Sequence, residues 1–122
     1  MLLNSFNYQP IGWNQTGQYV YSYRGGGIPT SFSYLTTKVS VGTGKSDSHV
    51  RWNLSVPVVA TAASACSCEG DVLRTMYGRI ELSGLSGTSI AEREDLYARI
   101  LDLVKSNEFR LSVTQLVQAS GA

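Results

Sequence analysis

The chain has little of what most enzyme chemistry requires. Its 122 residues include one histidine, two cysteines and three prolines, and 16% of them are charged. Soluble domains usually carry ~25% charged residues. A Ser-His-Asp arrangement could be built only around His49. Cys66, Cys68 and His49 supply three soft ligands, one short of a closed structural zinc site. There is no Gly-x-x-x-x-Gly-Lys-Ser/Thr phosphate loop and no strand-linked Gly-x-Gly-x-x-Gly fingerprint. No apolar run approaches the ~20 residues of a membrane-spanning helix. Met1-Leu2-Leu3-Asn4 shows no positive segment followed by an apolar stretch. The expectation is a protein made and used in a cytoplasm, with no cofactor, no metal and no membrane partner.

The formal net charge is +1, which excludes a strongly basic tail and an acidic solvating chain. Hydrophobic residues make up 43% of the chain, enough for a core in one domain spanning 1–122. Its texture changes along its length. The first 83 residues are rich in Tyr, Thr, Val, Ser and Gly, and residues 88–118 in Leu, Glu, Arg and Asp. Strand formers first and helix formers last predict an α+β fold.

Residues 1–16 read as an N-terminal hairpin and 17–84 as the sheet. Within the sheet, Gly17 to Arg24 is strand-like, with its tyrosines on one face. Gly25 to Pro29 is a turn. Residues 31–41 alternate, with Leu35, Val39 and Val41 on one face and Tyr34, Thr36, Lys38 and Ser40 on the other. After a turn at 42–47, Val50, Trp52, Leu54, Val56 and Val58 alternate with His49, Arg51, Asn53, Ser55 and Pro57. That period of two is the mark of a half-buried strand. Residues 60–70 form a long connection of small residues, and a further strand follows at 72–83. It sets Met76, Ile80 and Leu82 against Thr75, Tyr77, Arg79 and Glu81.

Ser89-Ile90-Ala91-Glu92 is a capping box, and it opens a helix over 90–105. Leu96, Ile100, Leu103 and Val104 form its apolar stripe, widened by Tyr97 and Leu101. Ser106-Asn107 breaks it. Phe109, Val113, Leu116 and Val117 predict a second helix, although Leu111 with Val113 also fits a strand. Two helices are little cover for apolar faces spanning at least three strands. A second copy of the chain would supply the missing cover; an ordinary two-layer monomer is the alternative.

The polar face carries spaced cations, small hydroxyls and aromatic rings. Residues 1–80 hold six basic residues against three acidic ones, and the remainder four against six. Such a face suits RNA, because cations meet phosphates and rings stack on unpaired bases. A solvated antiparallel face shows the same residue types.

The element order resembles the coat proteins of single-stranded RNA bacteriophages, the levivirus group. Arg51-Trp52-Asn53-Leu54-Ser55-Val56 looks like their central strand, and Thr88 to Gln118 like their paired helices. Cys66-Ser67-Cys68 lies where one branch carries two cysteines in a long inter-strand loop. The resemblance implies an N-terminal hairpin, a five-stranded antiparallel sheet and two C-terminal helices over 88–118. It also implies an intertwined homodimer with a continuous sheet. Such dimers would assemble in the bacterial cytoplasm into a T=3-type icosahedral shell around genomic RNA, giving a virion. A single-copy maturation protein would be a further partner. A dimer would also bind an RNA hairpin and repress replicase translation. The matching RNA-face positions are Thr36, Lys38, Ser40, Arg51, Asn53, Ser55, Thr75, Tyr77 and Arg79, with Tyr77 as the stacking ring. Cys66 and Cys68 would bond to neighbouring subunits. A small dimeric RNA-binding regulatory domain that forms no shell is the second reading. Replacing both cysteines with serine is expected to leave dimers intact and to lower the melting temperature of the shell. Equal melting of both shells, with and without reductant, would exclude the bonds.

Overall fold

A computed structural model of the chain describes residues 1–25, 32–42, 46–59 and 72–118. Residues 26–29 of the expected turn at 25–29, the middle of the turn at 42–47, the 60–70 connection and both cysteines lie outside the described residues. The chain divides into two compact units, Met1–Ser86 and Gly87–Ala122.

The first unit begins with a two-stranded hairpin of β1 (Leu2–Leu3) and β2 (Phe6–Asn7). Its two turn residues, Asn4 and Ser5, both take positive φ, at 49° and 67°. A two-residue hairpin turn of this hand matches the strand twist, and Asn tolerates the left-handed region well. The hairpin is therefore shorter than the 1–16 read from the sequence. β3 (Gln9–Trp13) leaves it and joins the main sheet, which starts at Gln9 and not at 17. Pro10 and Gly12 hid this strand, because both are poor strand formers. Here they sit on an edge strand at a register shift, where a missing donor and a φ of 131° at Gly12 are tolerated.

The sheet is antiparallel, in the order β3, β4 (Tyr19–Tyr23), β5 (Ser33–Ser40), β6 (His49–Val59), β7 (Val72–Leu82). The β3–β4 turn is organised by Asn14. Its Oδ1 accepts from Thr16 N at 3.0 Å, Thr16 Oγ1 at 2.8 Å and Gln18 N at 2.9 Å.

Register assigns the two faces. Leu35 lies opposite Tyr21 and Leu54; Thr37 opposite Tyr19 and Trp52. Trp52 faces Ile80, and Val56 faces Met76. These residues form the apolar face. Among the described residues, Tyr8 and Leu35 are its buried hydrophobic residues, at 4% and 5% exposure. Ser33, also buried, donates its hydroxyl to the Ser55 carbonyl at 2.6 Å. Tyr8 Oη lies 2.6 Å from the same Ser33 oxygen. Because the Ser33 proton is used, Tyr8 is the donor in that contact. This chain of bonds ties the segment after the hairpin to β5 and β6.

A second network ties the β5–β6 turn to the exit from β7. The Asp47 carboxylate accepts from the backbone amides of Gly84 and Ser86. Ser48 N donates to Ser86 Oγ at 2.8 Å. The amides of Gly84 and Ser86 hold the Asp47 carboxyl below its usual range.

In the second unit, α1 (Ile90–Lys105) starts at Ser89. Ser89 Oγ accepts from Glu92 N, and Glu92 Oε1 accepts from Ser89 N, both at 3.2 Å. The expected capping box is therefore formed. Asp95 and Arg99 pair at 2.9 Å one turn apart. Ser106 both ends α1 and starts α2 (Asn107–Thr114). Its hydroxyl donates to Leu103 O at 2.7 Å and accepts from Phe109 N at 3.2 Å. Leu111 and Val113 are helical, which resolves the helix-or-strand ambiguity. No residue of either helix is buried. No helix among the described residues is long and apolar enough to cross a membrane.

The Tyr8–Ser33–Ser55 chain yields a graded expectation. Tyr8→Phe removes one donor and leaves the Ser33–Ser55 bond, costing about 1 kcal/mol. Ser33→Ala strands the buried Tyr8 hydroxyl as well, costing about 2 kcal/mol. Urea denaturation at matched protein concentration reads both; equal costs would contradict the assigned direction of the bonds.

Candidate nucleic-acid interface

The opposite face of β5, β6 and β7 is polar because each strand alternates, and antiparallel register lines the polar positions into rows. Lys38, Arg51 and Glu81 form one row. Thr36, Asn53 and Arg79 form the next, and Tyr34, Ser55 and Tyr77 the third. The first two rows carry charge and the third carries rings. Ser40 lies beyond the charged end, opposite His49. His49 is thus a strand-end residue of the polar face. Thr75 lies beyond the aromatic end, opposite Pro57.

The nine positions expected from the sequence therefore share one face. Five of them, Thr36, Asn53, Ser55, Tyr77 and Arg79, line an open depression of about 530 Å³. Tyr34, Leu54 and Gly78 line it too. Lys38 and Arg51 sit one row away. Ser40 and Thr75 are at the two ends and do not line it. Tyr77 is 81% exposed, so its ring is open to a stacking partner.

Two cross-strand contacts fix the cations. Arg79 Nε donates to Asn53 Oδ1 at 2.9 Å. Arg51 Nη2 donates to Glu81 Oε1 at 2.9 Å, an ion pair with both side chains 37–41% exposed. The Arg51 hydrogen bond and then its charge hold the Glu81 carboxyl below its usual range; Arg79 and His49 act in the same direction. Parity placed Glu81 on this face, but only the register shows that it meets Arg51. Tyr34 was likewise on the face, but its place in the depression follows from the register with Ser55 and Tyr77.

The arrangement offers cations for phosphates, hydroxyl and amide groups for base edges, and an open ring for stacking. Among the described residues no cluster of three or more His, Cys, Asp or Glu gathers to hold a metal.

The fold has known counterparts. The structure is similar to a chain of the virus-like particle of bacteriophage ESE058, with a TM-score of 0.78 and 13% identity. That match covers 93% of this chain and 87% of the other. A chain of the virus-like particle of Beihai levi-like virus 21 matches with a TM-score of 0.77 and 16% identity, over 93% and 87% of the two chains. For the virus-like particle of bacteriophage AC the TM-score is 0.65 and the identity 13%, over 93% and 100%. The hairpin, five-stranded antiparallel sheet and two C-terminal helices are thus the fold of these particle-forming chains. No family model matches the sequence, and no curated protein does.

The ion pair makes a pH-dependent contribution. Glu81 has a folded pKa below its ordinary value of 4.5. Its stabilisation is therefore complete above that value and lost as pH falls through the folded pKa. Because the pair is exposed, the effect is small. Glu81→Gln is expected to lower the urea midpoint slightly near neutral pH and to match the wild type in acid. A gap that stays constant with pH would contradict the assignment.

Proposed function

We propose that the chain is the coat protein of a single-stranded RNA bacteriophage, with a structural and not a catalytic role. The observation that carries this reading is the fold: it follows chains from several phage virus-like particles along nearly the whole of both sequences. In this reading the two compact units act as one coat subunit, found in the virion after assembly in the host cytoplasm.

Surface physics supports self-association. β7 is one of the two edges of its sheet among the described residues and runs for eleven residues. Long unpaired edges invite pairing with another chain. Met76 and Ile80 on its apolar side are 55% and 50% exposed. Tyr97, Leu101, Leu103 and Val104 of α1 and Phe109 and Val113 of α2 are exposed as well. At about 25 cal/mol per Å² of apolar surface, a second copy covering these residues gains several kcal/mol. The arrangement that uses both the edge and the apolar faces is a symmetric dimer with β7 pairing β7. Dimers of this kind would then build an icosahedral T=3-type shell.

The polar face would meet the genomic RNA, and one dimer would bind an RNA hairpin and repress replicase translation. Arg79 and Lys38 supply the phosphate contacts, Arg51 a further donor to the RNA, and Tyr77 the stacking surface. A maturation protein present once per particle would complete the virion. The second reading, a dimeric RNA-binding regulatory domain without a shell, shares the same face. The fold counterparts in virus-like particles favour the coat.

Size-exclusion chromatography of bacterially expressed protein, read at 260 and 280 nm with negative-stain images of the void peak, separates the readings. Uniform particles are expected. A dimer that stays a dimer with added RNA would favour the regulatory domain, and a monomer would exclude both. Arg51→Ala and Arg79→Ala are each expected to weaken RNA binding about tenfold, for about 1.4 kcal/mol of lost charge-assisted contact, while dimers persist. Unchanged affinity in both would exclude the polar face as the RNA site.

A further inference from the structure

The polar face holds its two arginines in different ways. Arg79 is oriented by a neutral amide, Asn53 Oδ1. Arg51 is oriented by a carboxylate, the one acidic side chain on this face among the described residues. Lys38 lies directly across from Arg51 on β5, so Glu81 also offsets a like-charge neighbour. The Arg51–Glu81 pair is 37–41% exposed, so a ligand reaches both partners. Arg51 Nε is buried and has no acceptor among the described residues.

Building on the RNA reading of this face, we propose that Glu81 is a specificity-determining residue that favours unpaired base edges over bare phosphate backbone. A phosphate approaching Arg51 meets a carboxylate already bound there. Either Arg51 leaves Glu81, or two negative charges share one guanidinium; both oppose phosphate binding. An unpaired base is different. Its edge carries an acceptor beside an amino or imino donor, so it takes a hydrogen bond from Arg51 and gives one to Glu81. The pair stays intact and both partners gain a bond. Duplex RNA shows side chains mainly phosphates and 2′-hydroxyls, while loops and single strands show base edges. Glu81 thus lowers affinity for duplex and leaves affinity for unpaired segments.

The test compares wild type with Glu81→Gln, as the assembled dimer. The probes are a short mixed-sequence single-stranded RNA and a blunt RNA duplex of the same length, over a range of salt. Removing one charge at contact distance in water is worth about a sixfold change. Glu81→Gln is expected to bind the duplex about sixfold tighter, with the salt slope steeper by about 0.9. Its affinity for the single strand is expected to stay within about twofold, since glutamine keeps an acceptor but loses the charge-assisted bond. The preference for single strand over duplex therefore falls. Arg51→Gln/Glu81→Gln restores the wild-type net charge and is expected to return duplex affinity to the wild-type value. Equal tightening on both probes would reduce Glu81 to a simple charge and overturn the proposal. Unchanged binding to both probes would overturn it too. Arg79→Ala separates the two levels: if it weakens both probes, the face is the RNA site and the outcome for Glu81 stands alone. If it changes neither, the RNA reading of the face fails first.

Discussion

A slip of one residue between β5 and β6 would carry every side chain of one strand to the other face. Leu54 and Trp52 would then point among the cations, and Arg51 and Asn53 toward Leu35. The pairing of Leu35 with Leu54 and of Thr36 with Asn53 excludes that outcome. β7 follows the same register, with Trp52 against Ile80 and Asn53 against Arg79. A single choice of alignment therefore creates both the apolar face and the rows of the polar face. The Tyr8–Ser33–Ser55 bonds pin one end of this alignment, and the Asp47 bonds to Gly84 and Ser86 pin the other.

That alignment produces an apolar face larger than the first unit covers by itself. Tyr8 and Leu35 are its buried apolar residues among those described. Val39, Met76 and Ile80 remain at least half exposed, and the helices bury no residue. A surface of this kind is rarely left to water in a soluble protein. In the coat reading, the same residues that make the strands regular also make the surface that a second copy would cover. In the coat reading, folding and the first step of assembly share one driving force.

Much of this was legible in the sequence because alternation and capping are local. The parity of residues 31–41, 49–58 and 72–83 assigned the faces correctly, and Ser89 with Glu92 marked the start of α1 at residue 90. What was not legible depends on register or on turn chemistry. The Arg51–Glu81 and Arg79–Asn53 contacts join residues 30 and 26 positions apart, and no local pattern sets which pairs align. β3 was hidden because Pro10 and Gly12 are disfavoured in strands, and an edge with a register shift accepts both. Ser106 read as the end of the first helix, and it is; not legible was that its hydroxyl also caps the start of the next, which holds Leu111.

The modest charge of the chain takes on meaning in this setting. The rows on the described part of the polar face hold Lys38, Arg51 and Arg79 against Glu81. A single weakly positive face would hold RNA loosely, since affinity rises with the number of phosphates neutralised. In the coat reading, a shell would present the same face many times to one continuous polymer, and linked weak contacts multiply in effect. Low charge per copy then has an advantage. Strong sites would bind any cellular RNA before assembly. Sites of low charge with rings and base-edge groups would select unpaired bases singly and gain further strength together. In that view the carboxylate of Glu81 and the low charge of the whole chain act in the same direction. Both shift recognition from the phosphate backbone toward bases and toward assembly.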